Sequence, residues 1–167
     1  MRTLMMAPLL LGALILQTSI LNELQVLSGF ANLTLLILVS WSLNSTDRYH
    51  LYWAVFATLF FSYISAIPPM IPLVVFVGSA YLARKVARGT WQVPVIALMF
   101  SILIASLIDG AVTILYLWFQ SGFGLDILTM AGSVFLPSTL LNMLVAIPVN
   151  SVMRDFAMWA TPQADDL

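Results

Sequence analysis

Residues 93–120 form an unbroken apolar run that contains one ionisable side chain, Asp109, set between Ile108 and Gly110. At about 1.5 Å per residue a helix of this length reaches about 40 Å, more than the roughly 30 Å hydrocarbon core of a bilayer. The run reads as a membrane span that tilts or projects beyond the lipid, with a carboxylate inside it. A carboxylate at that depth costs on the order of 3 kcal/mol on insertion scales, so it has to face other helices or water and find a partner or a proton. Other spans must provide that shelter.

The composition supplies them. The 167 residues are 62% apolar and only 8% charged, with a mean hydropathy of +1.03, whereas soluble domains carry about 25% charged residues. The expected class is an all-α polytopic membrane protein embedded in a lipid bilayer. A net charge of -1 with six basic residues argues against nucleic acid as a partner, because phosphate recognition needs a concentrated basic surface. The absence of cysteine excludes disulfides, thiolate zinc sites, iron–sulfur clusters and a cysteine nucleophile. With His50 as the single histidine, neither a His-rich metal site nor a Ser-His-Asp triad is expected. No enzyme, no metal and no cofactor are anticipated.

Taken in order, the apolar runs and polar breaks predict six helices at about residues 5–21, 30–43, 49–67, 70–86, 93–120 and 127–152, in a single membrane domain with a short tail at 153–167. The first is read as a retained helix and not a cleaved leader, since no small-residue cleavage pattern follows it. Residues 24–28 read as an outer turn and 44–48 as a polar break. Tyr49, Tyr52 and Trp53 suit an interfacial belt, as do Trp91, Tyr116, Trp118 and Phe119. Pro68, Pro69 and Pro72 make a stiff turn between the third and fourth helices. All six basic residues, Arg2, Arg48, Arg84, Lys85, Arg88 and Arg154, then fall on one side. The positive-inside rule makes that side the cytoplasm, with both termini inside.

The polar residues within the spans have structural readings first. Asp109 is expected to be buried and to hold its helix against neighbours; a proton or cation pathway would need further ionisable groups at the same depth. Gln17 can bond across helices. Ser101 and Ser106 can return their hydroxyls to their own helix backbone and so carry little information. Asn142 lies between Pro137 and Pro148, each of which frees a carbonyl one turn earlier, so the last helix is expected to be bent or broken there, with the amide bonding the freed groups. Gly78 and Gly110 are small residues that allow close helix approach and are candidate partner contacts.

The segment Leu136-Pro137-Ser138-Thr139-Leu140-Leu141-Asn142, followed by Ala146-Ile147-Pro148, resembles the last-helix signature of the MreD family of rod shape-determining membrane proteins. Leu16-Gln17-Thr18-Ser19 is similar to that family's first helix, and the length, six-span hydropathy and basic cluster after helix four also fit. The chain differs where the family often carries Pro-Asp-Leu at the start of helix two, having Ala31-Asn32-Leu33, and where the family has a Gly-rich helix three with an acidic residue, having Ser62-Tyr63-Ile64-Ser65. The resemblance implies a fold similar to the substrate-binding subunits of energy-coupling-factor transporters. It implies a non-enzymatic scaffold in the bacterial inner membrane that supports peptidoglycan synthesis and cell shape. The implied partner is the transmembrane helix of MreC, and through it penicillin-binding protein 2, RodA and MreB.

A vitamin-binding subunit of such a transporter is the alternative. That function needs a cavity with convergent polar groups, and the expected outer loops supply few. An intramembrane enzyme acting on lipid lacks a nucleophile-base pair.

Overall fold

The computed structural model describes residues 2–21, 29–45, 49–65, 67–89, 94–124 and 126–160, and among these the only regular elements are helices. A short turn (Arg2–Met5) leads into α1 (Met6–Leu16), which continues through a π turn (Gln17–Leu21). There follow α2 (Leu33–Asn44), α3 (His50–Ile64), α4 (Met70–Ala87) and α5 (Pro94–Gln120). Helix α6 (Ile127–Met130), a second π turn (Ala131–Phe135) and α7 (Leu136–Ala160) run on as one rod. Three helices, Met70–Ala87, Pro94–Gln120 and Ile127–Ala160, are long and apolar enough to cross a membrane, and α1, α2 and α3 are shorter apolar helices. This is an all-α membrane protein. Bulky apolar side chains such as Tyr52, Leu59, Val74 and Leu144 face outward, as lipid permits and water does not.

The bundle is built around α2. Every residue from Thr34 to Ser42 is buried, so this helix is enclosed all round; it packs most extensively on α7 and α4 and also meets α1, α3 and α5. Its 12 residues reach only about 18 Å, too short to cross a bilayer as a helix. Trp41, fully buried, stacks obliquely on Phe156 with ring centroids 5.7 Å apart.

The C-terminal end of α2 fixes the directions of its neighbours. The Asn44 amide donates to Ser40 O and to Asn150 Oδ1, both at 2.8 Å. The Arg84 guanidinium donates to the carbonyls of Ser42 and Ser45. The ends of α2 and α4 and the last third of α7 thus meet near Arg84, Lys85, Arg88 and Arg154, the basic end of the bundle. Helix α5 starts from this end and α7 returns to it.

Three helix limits depart by three residues or more from the sequence reading. The second helix begins at Leu33 and not at residue 30: Asn32 (φ -92°, ψ 85°) caps it, its side chain accepting from Leu35 N. The third stops at Ile64 and not at residue 67, where Ser65 turns extended ahead of the Pro68–Pro69 pair, because proline disfavours helix before it. The last helix runs to Ala160 and not to residue 152, since Met153, Ala157 and Ala160 recur at helical spacing and are buried, which takes the first part of the expected tail into the fold. Nor is that helix broken between its prolines: it continues through Pro148. The irregularity lies earlier, in the π turn before Pro137. There the hydroxyls of Ser133, Ser138 and Thr139 donate to the carbonyls of Thr129, Val134 and Phe135 at 2.7–3.0 Å, occupying acceptors that an irregular turn leaves open. The turn expected at residues 24–28, Arg48, Trp91 and the far end of the tail at 161–167 lie outside the described residues.

Candidate functional site: the buried start of α2 and the cavity beside it

A helix that begins inside a bundle leaves its first N–H groups without intrahelical acceptors, and in a membrane no water replaces them. Side chains replace them here. Non-helical residues lead to the cap, and Gly29 is pressed against α7 so closely that a Cβ would lie 2.6 Å from the Ser138 backbone nitrogen and 2.7 Å from the Pro137 carbonyl carbon. Only glycine permits that approach. The Phe30 N–H then donates to Ser138 Oγ (3.1 Å), and the Asn32 N–H to Asn142 Oδ1 (2.8 Å). The Asn32 side chain accepts from Leu35 N (3.2 Å), and Gln17 Oε1 accepts from both the N–H and the hydroxyl of Thr34 (3.2 Å each).

The same amides tie in α5. Asn32 Nδ2 donates to Asp109 Oδ2 at 3.1 Å, and Asn142 Nδ2 donates to Ser106 Oγ at 3.0 Å. Asp109 lies near the middle of α5, the depth at which a helix of this length passes the centre of a bilayer. Its carboxyl sits beside the N-terminus of α2, where the helix macrodipole is positive and attracts it.

The structure therefore brings Gln17, Asp109, Pro137 and Asn142 to one place. Gly110 is next to it, and a Cβ there would collide with the Phe135 ring; it serves contact inside the bundle, so α5 offers no free small-residue face at this point. Gly78 is different: nothing lies within 4 Å of where its Cβ would be. Pro148 lies exposed, away from the network. Asn142, expected to bond carbonyls of its own helix, instead reaches α2 and α5. Ser106, set aside as self-satisfied, receives its amide. Asn32, Thr34 and Ser138 went unread as site residues, although an Asn immediately before an apolar helical run is a cap signal.

Beside the network lies a cavity of about 210 Å³. Gln17, Asn32, Ser106, Asp109, Ser138 and Asn142 supply its polar side, and Phe61, Phe76, Ile114 and Phe135 are among its apolar walls. It extends past Ile67, Leu117 and Met130, toward the end away from the basic residues. No family model, curated protein or solved structure matches this chain.

Proposed function

We propose that the chain is a non-enzymatic scaffold subunit of the bacterial cell-elongation machinery, of the MreD type. Its six helical segments lie in the cytoplasmic membrane with both termini inside, the short α2 crossing only together with the residues that lead into it; the fold resembles that of energy-coupling-factor substrate-binding subunits, and its partner is the transmembrane helix of MreC, which links it to MreB, penicillin-binding protein 2 and RodA. The observation that carries this reading is the position of the residues behind the resemblance. Gln17, Pro137, Ser138 and Asn142 all meet at the start of α2. The motif is spent on holding a short central helix in place, which is what a rigid docking body requires.

The docking face is α4 around Gly78. Val74 and Tyr81 are exposed one turn to either side of that glycine, forming a notch that a partner helix can approach closely. Gly78→Leu fills the notch and is expected to weaken co-purification of MreC while leaving monodisperse protein. Gly110→Leu, by contrast, is expected to disturb the bundle itself through Phe135. Full MreC recovery with Gly78→Leu removes this face from consideration, and a wild type that captures no bitopic partner removes the scaffold reading.

The cavity favours a second reading, the substrate-binding subunit of a vitamin transporter. Native mass spectrometry separates the two: a stoichiometric small molecule that one vitamin displaces supports the transporter subunit.

A further inference from the structure

The cavity beside α2 has more than a structural use for its polar groups. Nearly every hydrogen-bonding atom of the network is consumed in capping α2, and two are not. Asp109 engages one oxygen with Asn32, and its other oxygen has no partner among the described residues. Gln17 engages its carbonyl oxygen with Thr34, which fixes the amide orientation, and its NH₂ group meets no acceptor among the described residues. Gln17 is only 8% exposed, and both residues line the cavity. An amide donor and a half-buried carboxyl that open onto a largely apolar cavity without protein partners are costly unless something in the cavity meets them.

Three occupants could offset that cost. An acyl chain covers the walls and leaves both polar groups bare. One water can bridge the two groups, but further water against Phe61, Phe76 and Phe135 lacks the two to four polar partners that an ordered molecule needs, and the apolar walls stay uncovered. A molecule with an apolar ring body and a polar tip satisfies both surfaces at once, as in small-molecule sites generally. The volume, about 210 Å³, exceeds the 150 Å³ or so that accommodates benzene in an engineered apolar cavity, so one to two rings fit.

We infer that this cavity is a binding site for a small uncharged molecule with a ring-sized apolar body and a hydroxyl or N–H donor, which bonds the free oxygen of Asp109 while Gln17 donates to the same molecule. The site is lined by helices of this one chain; the inference deepens the small-molecule reading of the cavity and does not depend on which partner the chain docks.

The test uses the full chain in lipid nanodiscs and equilibrium dialysis of two probes, 2-naphthol and 2-methoxynaphthalene, with protein-free nanodiscs subtracted. The probes share a ring body, and only the first can donate. Saturable uptake of one equivalent of 2-naphthol is expected, with 2-methoxynaphthalene about tenfold weaker or more, in line with loss of a hydrogen bond to a carboxylate. Asp109→Asn presents an amide nitrogen to the cavity once its oxygen accepts from Asn32, so the preference between the probes should collapse, a change that a purely structural Asp109 would not produce. Thr113→Phe, at a wall position that lacks a hydrogen bond among the described residues, should fill the space and abolish saturable uptake of both probes. Uptake that does not saturate, equal uptake of the two probes, or a preference unchanged in folded Asp109→Asn overturns the assignment and leaves a water-filled cavity. If Asp109→Asn does not assemble, persistent uptake by Thr113→Phe places the probe elsewhere and overturns it equally.

Discussion

At its N-terminal end α2 begins among neutral amides and hydroxyls from α1 and α7, with a carboxyl from α5 beside its cap; at its other end, the carbonyls of Ser42 and Ser45 accept from the Arg84 guanidinium. The two ends need the same thing, partners for backbone groups that the helix itself cannot pair. They differ in distance from water. Near the basic end the Arg84 side chain is only half-buried, so a charge is tolerated and complements the negative end of the helix dipole. In the interior a cation would carry a desolvation cost, and short neutral groups that each make two bonds do the work instead. Even so, the basic half is the less completely knit. The hydroxyls of Ser40, Ser42, Ser45 and Ser79 are buried with no partner among the described residues, small side chains whose use is to let α2 and α4 approach closely.

That difference is most exposed at Asn32. Asn32→Leu removes the acceptor of Leu35 N and the donor to Asp109 together, leaving two buried groups unpaired. A loss of about 3 kcal/mol follows from a lost cap plus a stranded polar group. Asn32→Asp restores the cap acceptor but sets a second carboxyl against Asp109, so it should rescue little. Unfolding in mixed detergent micelles measures both. Asn142→Leu strands the Asn32 N–H but leaves the cap itself, and about 2 kcal/mol is expected by the same assay. If either variant is as stable as the wild type, water enters the bundle and the contrast between the two ends dissolves.

The smaller effect belongs to the basic end. Arg84→Leu should cost about 1 kcal/mol, since it removes a half-buried donor from the last carbonyls of α2 and leaves the helix's own bonds intact. Arg84→Lys should recover part of that. A loss at Arg84 equal to that at Asn32 would mean the α2 terminus is as dry there as at its start.

The sequence carried the rods but not the joint between them. The order of the helices was readable because polar or proline breaks such as Asn44-Ser45 and Pro68-Pro69 interrupt long apolar runs. The start of α2 was not, because Phe30 and Ala31 are as apolar as a helix interior, and what stands before the helix is tertiary: Gly29 packs on Pro137 and the Phe30 N–H bonds Ser138 Oγ. Asp109 and Gln17 stood out as polar residues in apolar surroundings, yet their partners lie 77 and 17 residues away along the chain and no local spacing encodes them. The cavity is hidden in the sequence for a related reason: its polar groups, Gln17, Ser106, Asp109 and Asn142 among them, come from within the helices and not from the loops.

The last expectation concerns the far end of the molecule, where the helix rod begins in the open. Asp126 caps α6, its carboxylate accepting from the Thr129 hydroxyl (2.6 Å) and the Leu128 N–H (3.1 Å). The Thr129 hydroxyl first, and then the backbone donors, hold its pKa below the usual carboxylate value. A folded-state pKa below the unfolded one, about 3.9, means the cap contributes fully above that value and is lost as pH falls through the depressed folded pKa. The group is fully exposed, so solvent screens the effect and global stability should not move. Local order should. Asp126→Ala is expected to lower amide protection at Leu128 and Thr129 by about threefold and to leave the unfolding midpoint unchanged. The wild type should lose the same protection, corrected for intrinsic exchange, only below about pH 4. If protection at these amides were lost already near pH 6, or if Asp126→Ala lowered the midpoint as Asn32→Leu does, the open end of the rod would be bearing weight that α2 is thought to carry alone.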